Sequence, residues 1–492
     1  MPSNHQEVEL KFACGPEDLA AVLAAAPPGD DTSAELISVY FDTPDLDLQK
    51  AGASLRVRER AGQRVQTLKR GHGLAREEHE APIEGLAPDR GLGPLPKLVP
   101  KDAALRPAFN VRVIRRQRTF TYEGATIELA LDQGEVVGGE GRTAICEVEL
   151  ELKSGPRAAL FGLARELAKA APLQISFETK AARGQALVAG AAGRPHSSLP
   201  VHLEDDATVA AAFQATARQA LAQIAANAAL IRAGPSPEAV HQLRVGARRF
   251  RSALSTFGEV LRDAGLEGVK AEMRWLSHAC DEARNLDVFA EALVGAEAEP
   301  GGATAFRGGA EVLRKRAGAA QRKARAGVAE SVRAARFRTL MIEATAWVET
   351  GDWLQNEAAR RPVQAFAKRA LKGARRKVTK QADALRGSDD KALHRLRIAA
   401  KKLRYAGEAF ASLYGRKRSA AFTGAVKDLQ TELGELNDLA TAGPLIESLA
   451  LPPEAAFVAG EWLGLRLAAR PARLARASRA YRQVARAEPF WD

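Results

Sequence analysis

Cysteine is scarce in this chain, with three residues among 492, at positions 14, 146 and 280 and without short metal-ligand spacing. Such spacing argues against a disulfide framework and offers no thiolate metal site, and a reducing, cytoplasmic setting is expected. Aromatic residues amount to 5% of the chain, which leaves little material for stacking nucleobases. No apolar run approaches the ~18 residues of a membrane span. The opening MPSNHQEVELKF lacks the charged-then-apolar pattern of an export signal, so no membrane partner is expected.

What the chain does have is a 46% hydrophobic content, enough to bury cores, and a length that fits two or three domains. The net charge of +12 is distributed unevenly. Residues 1–200 hold 25 Lys+Arg against 27 Asp+Glu, and residues 201–492 hold 47 against 33. The first part balances its charge, whereas the second attracts anions.

The local patterns change at the same place. Up to about residue 190, several segments alternate with period two: EVELKF (7–12), SLRVR (54–58), RVQTLK (64–69), TIELALD (126–132) and CEVELELK (146–153). Turn-rich stretches such as 41–48 and 91–100 separate them, and a helix is expected at 157–170 with Leu160, Leu163 and Leu167 on one face. These features predict an antiparallel α+β domain over 1–192. A Pro/Ser/Gly-rich linker follows at 193–206, and an all-α domain at 207–492 with breaks at 234–237, 299–303, 386–390 and 451–455.

The helical part repeats itself at an offset of 153. His241 aligns with His394, Arg244 with Arg397, Arg248 with Lys401 and Phe257 with Phe410, and the offset persists to Glu282 and Glu435. A constant offset over so many positions predicts two duplicated helical bundles, at about 207–330 and 360–485.

On a strand, alternate side chains share a face. Glu7, Glu9 and Lys11 therefore lie together, as do Arg56 and Arg58, Glu128 and Asp132, and Glu147, Glu149 and Glu151. Each set has an apolar back. A solvated face with cross-strand ion pairs explains any single strand. Three successive carboxylates on one strand repel one another unless cations intervene, and oxygen ligands suit Mg2+ or Mn2+. Arg56, Arg58 and Lys69 would then be available for phosphate oxygens.

EVELK, LRVR, TLK, IELALDQGEV, EVELELK and TKAARG, in this order over about residues 5–190, resemble the CYTH or triphosphate tunnel metalloenzyme superfamily. The resemblance implies a closed antiparallel β-barrel with a charged tunnel and its apolar side packed outward on helices. It implies metal binding by Glu7, Glu9, Glu128, Asp132, Glu147, Glu149 and Glu151. It also implies triphosphate binding by Lys11, Arg56, Arg58, Lys69, Arg115 and Lys180, with Glu7, Glu9, Lys11 and Glu149 closest to the catalysis. Arg116 and Arg118 rival Arg115, and Gln117 stands where related sequences tend to carry a base. His5, His72 and His79 are expected at the surface without a catalytic role.

In HQLRVGARRFRSAL (241–254), His241, Arg244, Arg248 and Arg251 fall on one helix stripe. HRLRIAAKKLRYA (394–406) repeats the layout with His394, Arg397, Lys401 and Arg404. Residues 301–400 add 23 basic against 9 acidic residues. Together with ARNLDVF (283–289) and LQTELGELNDL (429–439), these motifs resemble the CHAD domain over roughly 207–485. That resemblance implies inorganic polyphosphate as the ligand of both stripes and allows association with polyphosphate granules. Nucleic acid is the competing polyanion, and the shortage of aromatic residues within the stripes argues against it. The two resemblances together imply metal-dependent hydrolysis of inorganic triphosphate to pyrophosphate and phosphate. The alternatives are a non-catalytic polyphosphate-binding scaffold and a hydrolase of thiamine or nucleoside triphosphates.

Overall fold

The computed structural model describes residues 3–71, 75–297, 307–387 and 389–492. The expected break at 299–303 and His72 lie outside them. The chain falls into two compact units, residues 1–195 with 335–350, and residues 196–334 with 351–492.

The first unit is built on nine antiparallel strands: β1 (Ser3–Ala13), β2 (Asp30–Asp42), β3 (Ala53–Arg60), β4 (Gln63–Arg70), β5 (Ala75–Pro82), β6 (Arg106–Tyr122), β7 (Ala125–Gly138), β8 (Gly141–Ser154) and β9 (Gln174–Ser176). Two-residue turns with both residues at positive φ join β3 to β4 (Ala61, 50°; Gly62, 80°) and β6 to β7 (Glu123, 45°; Gly124, 74°). This is the primed turn geometry that matches strand twist and pins register. The turn at Glu123–Gly124 sets Tyr122 opposite Ala125, and the same register carries Arg115 opposite Asp132.

The strand order is β5-β4-β3-β2-β6-β7-β8-β1-β9. The expected closed barrel is not what forms. Instead β1 divides its length between β5, the first strand of that order, and β8: Ser3–Val8 pair with β5, and Glu9–Ala13 pair with β8. The helix at 180–188 packs against β6, β7 and β8, and the two pairings of β1 share no residue.

The helices of this unit are α1 (Leu19–Ala25), α2 (Asp47–Lys50), α3 (Leu95–Leu98), α4 (Ala158–Ala170) and α5 (Lys180–Val188). The apolar backs of the strands pack as their alternation requires. Leu55, Val57 and Leu68 are buried with Leu48 of α2 and Leu95 of α3. On α4, Leu160, Leu163 and Leu167 are buried, as the sequence spacing predicts. At one end of the inner face, Tyr40 stacks on Phe109 at 4.7 Å within an apolar cluster that includes Ala181 of α5.

The remaining helices are α6 (Val209–Ala233), α7 (Pro237–Thr256), α8 (Leu266–Ala279), α9 (Asp281–Glu297), α10 (Arg307–Arg333), α11 (Ala335–Thr350), α12 (Glu357–Arg360), α13 (Val363–Gln381), α14 (Asp390–Phe410), α15 (Arg416–Ser448), α16 (Pro453–Ala468) and α17 (Arg470–Arg486). A single boundary at 193–206 does not describe this arrangement. Helix α11 packs on α4 and β9, and Arg165 holds Glu343 through two hydrogen bonds of 2.6 and 2.8 Å. The rest of the helices form the second unit. There Ser236 caps α7 by accepting from the Ala239 amide, and Phe257 meets its sequence-repeat mate Phe410 at 5.5 Å in the core. Among the described residues, no helix is long and apolar enough to cross a membrane.

Candidate active site and basic cluster

Strand register places the charged residues of the first unit in rows. Ala13, Glu147, Asp132 and Arg115 form one row, and Lys11, Glu149, Ala130 and Gln117 the next. A third row contains Glu9, Glu151 and Glu128. Asp132 is fully buried and Glu147 is 1% exposed, while Glu9 and Lys11 are each 8% exposed. Burial at this level requires partners. Lys11 lies 2.7 Å from Glu149, 3.4 Å from Glu147 and 3.5 Å from Glu9. Lys180, at the start of α5, reaches Asp132 at 2.7 Å and Glu149 at 2.8 Å and also contacts Glu147. Arg115 grips Asp132 with two hydrogen bonds of 2.7 and 2.6 Å and touches Glu149 at 2.5 Å.

These pairings fix the charge states. Burial opposes ionisation of Glu149, but Lys11, Lys180 and Arg115 hold its carboxyl well below the usual range. Asp132 is likewise lowered against its burial by Lys180 and Arg115. Burial also works against the charge on Lys11 and Lys180, yet the surrounding carboxylates raise both above the ordinary lysine value.

One carboxylate oxygen each from Asp132, Glu147 and Glu149 lies within 4.8 Å of the others. Glu9 Oε1 and Glu147 Oε2 are buried without a hydrogen bond. Three converging carboxylates and two buried oxygens that make ion pairs at 3.5 Å but no hydrogen bond fit a hard divalent ion, which takes oxygen donors.

The facing wall is cationic. Arg56 and Arg58 of β3 stand opposite Tyr40 and Ser38 of β2. Arg58 donates to Ser38 Oγ at 3.2 Å. Among the described residues no carboxylate lies within 4 Å of either arginine, whereas every cation of the opposite wall has one. Burial, then Arg56 and Arg115, push Arg58 down to about 9, leaving it charged at neutral pH but poorly compensated. An anion would relieve Arg58, whereas the burial of Arg56 is already offset by Tyr40, Glu78 and Glu80, which raise it above its ordinary value.

In the second unit, the stripes of α7 and α14 face each other. Arg248 donates to the Tyr405 hydroxyl at 2.8 Å, and the guanidinium groups of Arg248, Arg249 and Arg404 lie 4.8–5.8 Å from the Tyr405 ring centre. Arg397 and Lys401 join them electrostatically. Burial, then Arg248, Arg397 and Arg244, push Lys401 down to about 6. Among the described residues Arg248, Arg397 and Lys401 have no carboxylate within 4 Å, whereas Arg244 pairs with Asp281 at 2.7 Å. The result is a shared concentration of uncompensated positive charge.

Residues 5–185 match the CYTH domain, and residues 215–447 match the CHAD domain. The chain joins a CYTH domain to a CHAD domain. Over 195 residues it is 33% identical to the inorganic triphosphatase of Haemophilus influenzae, a match covering 37% of this chain and 55% of that protein. The chain thus spans about half the length of this curated relative. A crystal structure of the CHAD domain from the plant Ricinus communis is 27% identical, with a TM-score of 0.53, covering 60% of this chain and 97% of that one. PptA from Streptomyces chartreusis is 18% identical with a TM-score of 0.42, over 57% of this chain and 99% of its own.

Of the residues singled out in the CYTH sequence, the structure gathers Glu9, Lys11, Arg115, Asp132, Glu147, Glu149 and Lys180 into one cluster, with Arg56 and Arg58 opposite. Arg115 is the arginine of VIRRQR that enters it, because Arg118 turns away to Asp31 at 2.5 Å and Arg116 is one residue out of phase. Gln117 faces Glu128 at 3.3 Å. Glu128 and Glu151 stand apart from the carboxylate triad, where Lys153 meets them at 3.7 and 2.8 Å. Lys69 pairs with Glu78 at 3.1 Å. The side chains of His5 and Glu7 lie outside the described residues, although the Glu7 backbone pairs opposite Arg76. His79 bonds Glu77 at 2.8 Å.

Sequence reasoning missed Arg76, which holds Glu9 at 2.6 Å, and Arg183, which is 3.5 Å from Glu147. The spacing of Lys180 and Arg183 in TKAARG, three apart and so on one helix face, carries the second of these.

In the CHAD domain, Arg244, Arg248, Arg397 and Lys401 converge. Arg251 is affected chiefly by burial and then by Arg274, and Arg404 leans toward Glu408 at 3.4 Å. The two histidines differ. Burial, then Arg284, lower His241 to about 4, whereas His394 Nδ1 bonds Asn437 at 2.9 Å.

Proposed function

We propose that the CYTH domain hydrolyses inorganic triphosphate to pyrophosphate and phosphate with Mg2+ or Mn2+. The observation carrying this reading is the pairing of a buried carboxylate triad, Asp132, Glu147 and Glu149, with the carboxylate-free Arg56 and Arg58 on the facing strand. Asp132, Glu147 and Glu149, with Glu9 beside them, would hold the metal. When bound, such an ion neutralises phosphate oxygens and polarises the terminal phosphorus.

The protein's own residues supply the rest. Arg56 and Arg58 bind and orient the polyanion, and Lys11 and Arg115 keep the carboxylates ionised and fixed. Burial strengthens each of these interactions by excluding water. A water oxygen then forms a bond to the terminal phosphorus as the bridging P–O bond breaks, pyrophosphate leaves, and the proton lost by the water passes to solvent. The triphosphatase named among the relatives supports the inorganic substrate, as does the shortage of aromatic residues for gripping a base.

We infer that the CHAD domain binds inorganic polyphosphate on the Arg244, Arg248, Arg397 and Lys401 cluster. Phosphate release measured with Glu147→Gln tests the enzymatic reading. Loss of turnover with an unchanged circular dichroism spectrum is expected, and undiminished turnover contradicts it. A cytoplasmic enzyme working near polyphosphate granules is the setting this pairing of domains suits.

A further inference from the structure

The carboxylates that suit a divalent ion already hold a cation of the chain itself. Lys180 Nζ lies 2.7 Å from Asp132 and 2.8 Å from Glu149, and it contacts Glu147. An ammonium has three N–H donors and accepts nothing. Here Lys180 donates to Glu147 and Glu149 and pairs with Asp132, so its charge is committed to carboxylates and not to a phosphate oxygen. Its charge stands among the same three groups whose ligand atoms come within 4.8 Å of one another.

Charge balance makes the conflict explicit. The negative charges of Asp132, Glu147, Glu149 and Glu9 are met by Lys180, Lys11, Arg115, Arg76 and Arg183. A divalent ion entering this group meets carboxylates that are already compensated, with an ammonium at their focus, and two cations cannot share so small a space.

Lys180 is the member free to withdraw. Lys11 sits where β1 is paired on both sides, opposite Glu149 and Ser176. Arg115 is held by two hydrogen bonds to Asp132 from the middle of a 17-residue strand. Lys180 instead begins a nine-residue helix, on a flexible four-carbon stem. The cap of that helix, from the Ala182 amide to Thr179 Oγ at 3.0 Å, does not involve the lysine side chain. Arg183, one turn along, stays 3.5 Å from Glu147. The arginine wall is also within electrostatic reach. Burial raises the Tyr40 phenol, but Arg56 and Arg58, and then Lys180, act together to bring it below its ordinary value.

We propose that Lys180 is an exchangeable occupant of the cation site: it neutralises Asp132, Glu147 and Glu149 until a divalent ion replaces it, and its ammonium then turns to the substrate phosphate beside Arg56 and Arg58. One residue thus couples metal loading to completion of the anion site. The inference rests on the metal-dependent reading above and adds an order of events to it.

The test is Mn2+ binding to the full chain, followed by calorimetry and by the electron paramagnetic resonance of free Mn2+. Lys180→Met removes the charge and keeps the stem. It should bind Mn2+ at least tenfold more tightly than the unaltered protein. It should also melt at a lower temperature in chelator and recover on adding Mn2+. Asp132→Asn should lose Mn2+ binding in either background.

Equal or weaker Mn2+ affinity in Lys180→Met, with Asp132→Asn still abolishing it, overturns the exchange and leaves the metal site standing. Failure of both the unaltered protein and Lys180→Met to bind Mn2+ overturns the exchange and the metal-dependent reading together. The 15N resonance of Lys180 Nζ in 15N-lysine-labelled unaltered protein, assigned by its absence in Lys180→Met, gives a second readout. It should shift when Mg2+ is added, and an unchanged resonance contradicts the withdrawal of Lys180.

Discussion

At the level of single residues, the chemistry depends on which charges have partners. Glu149 touches Lys11, Lys180 and Arg115 at once, so Glu149→Gln removes one of the three carboxylates proposed to hold the metal and leaves cations uncompensated. Phosphate release should fall by about a hundredfold or more, measured against unaltered protein at saturating metal. In the CHAD domain, Lys401 is held down to about 6 by burial and then by Arg248, Arg397 and Arg244. It is therefore largely neutral at pH 7.5 and charged below pH 6. A bound polyanion restores its charge, so binding takes up a proton, and affinity should rise as pH falls from 8 to 6 and level off below that. Calorimetry in buffers of differing ionisation heat reads the proton uptake directly, and Lys401→Met should abolish it.

Much of this was legible, since alternation in EVELEL marks Glu147 and Glu149 as one face whatever the fold. Two positions along a strand are ~7 Å, however. That distance moves Glu151 and Glu128 into the row served by Lys153, which alternation cannot reveal. Arg76 was hidden because AREEHE alternates no apolar residue with its charges.

At the scale of elements, turns do the positioning. The Glu123–Gly124 turn needs positive φ at both residues, and it fixes the register that sets Arg115 against Asp132. Gly124→Val should cost on the order of 1–2 kcal/mol in unfolding free energy and lower turnover, both read from the same preparation by denaturant titration and phosphate release.

The paired stripes of α7 and α14 are the second such device. Repeat mates face one another there, so Arg248→Glu with Arg397→Glu should weaken polyphosphate binding and reduce its salt dependence. Triphosphate turnover should be largely unchanged, and a collapse of turnover would contradict the division of tasks. The sequence shows both stripes because helical periodicity exposes them. It does not show where α11 belongs. ARFRTLMIEATAWVET is apolar enough to be a buried helix, and only packing on α4 and β9 assigns it to the first unit. Sheet closure was likewise beyond reach, because alternation records which face a residue occupies and not how β1 divides its pairing between β5 and β8.

At the scale of the whole molecule, charge separates the two tasks. Residues 1–200 are nearly neutral overall, and residues 201–492 carry the surplus of Lys and Arg. In the CYTH domain Lys11, Arg115 and Lys180 pair with buried carboxylates, whereas in the CHAD domain Arg248, Arg397 and Lys401 concentrate positive charge between α7 and α14. Polyphosphate affinity should consequently fall steeply between 50 and 200 mM salt, while triphosphate turnover, governed by buried groups, should change much less.

The most direct test of the central claim is phosphate release by the full chain from inorganic triphosphate, thiamine triphosphate and ATP, each with Mg2+, with Mn2+ and with chelator. The account predicts release that requires the metal and is fastest with inorganic triphosphate. Turnover that persists in chelator, or no turnover of inorganic triphosphate with either metal, would contradict it.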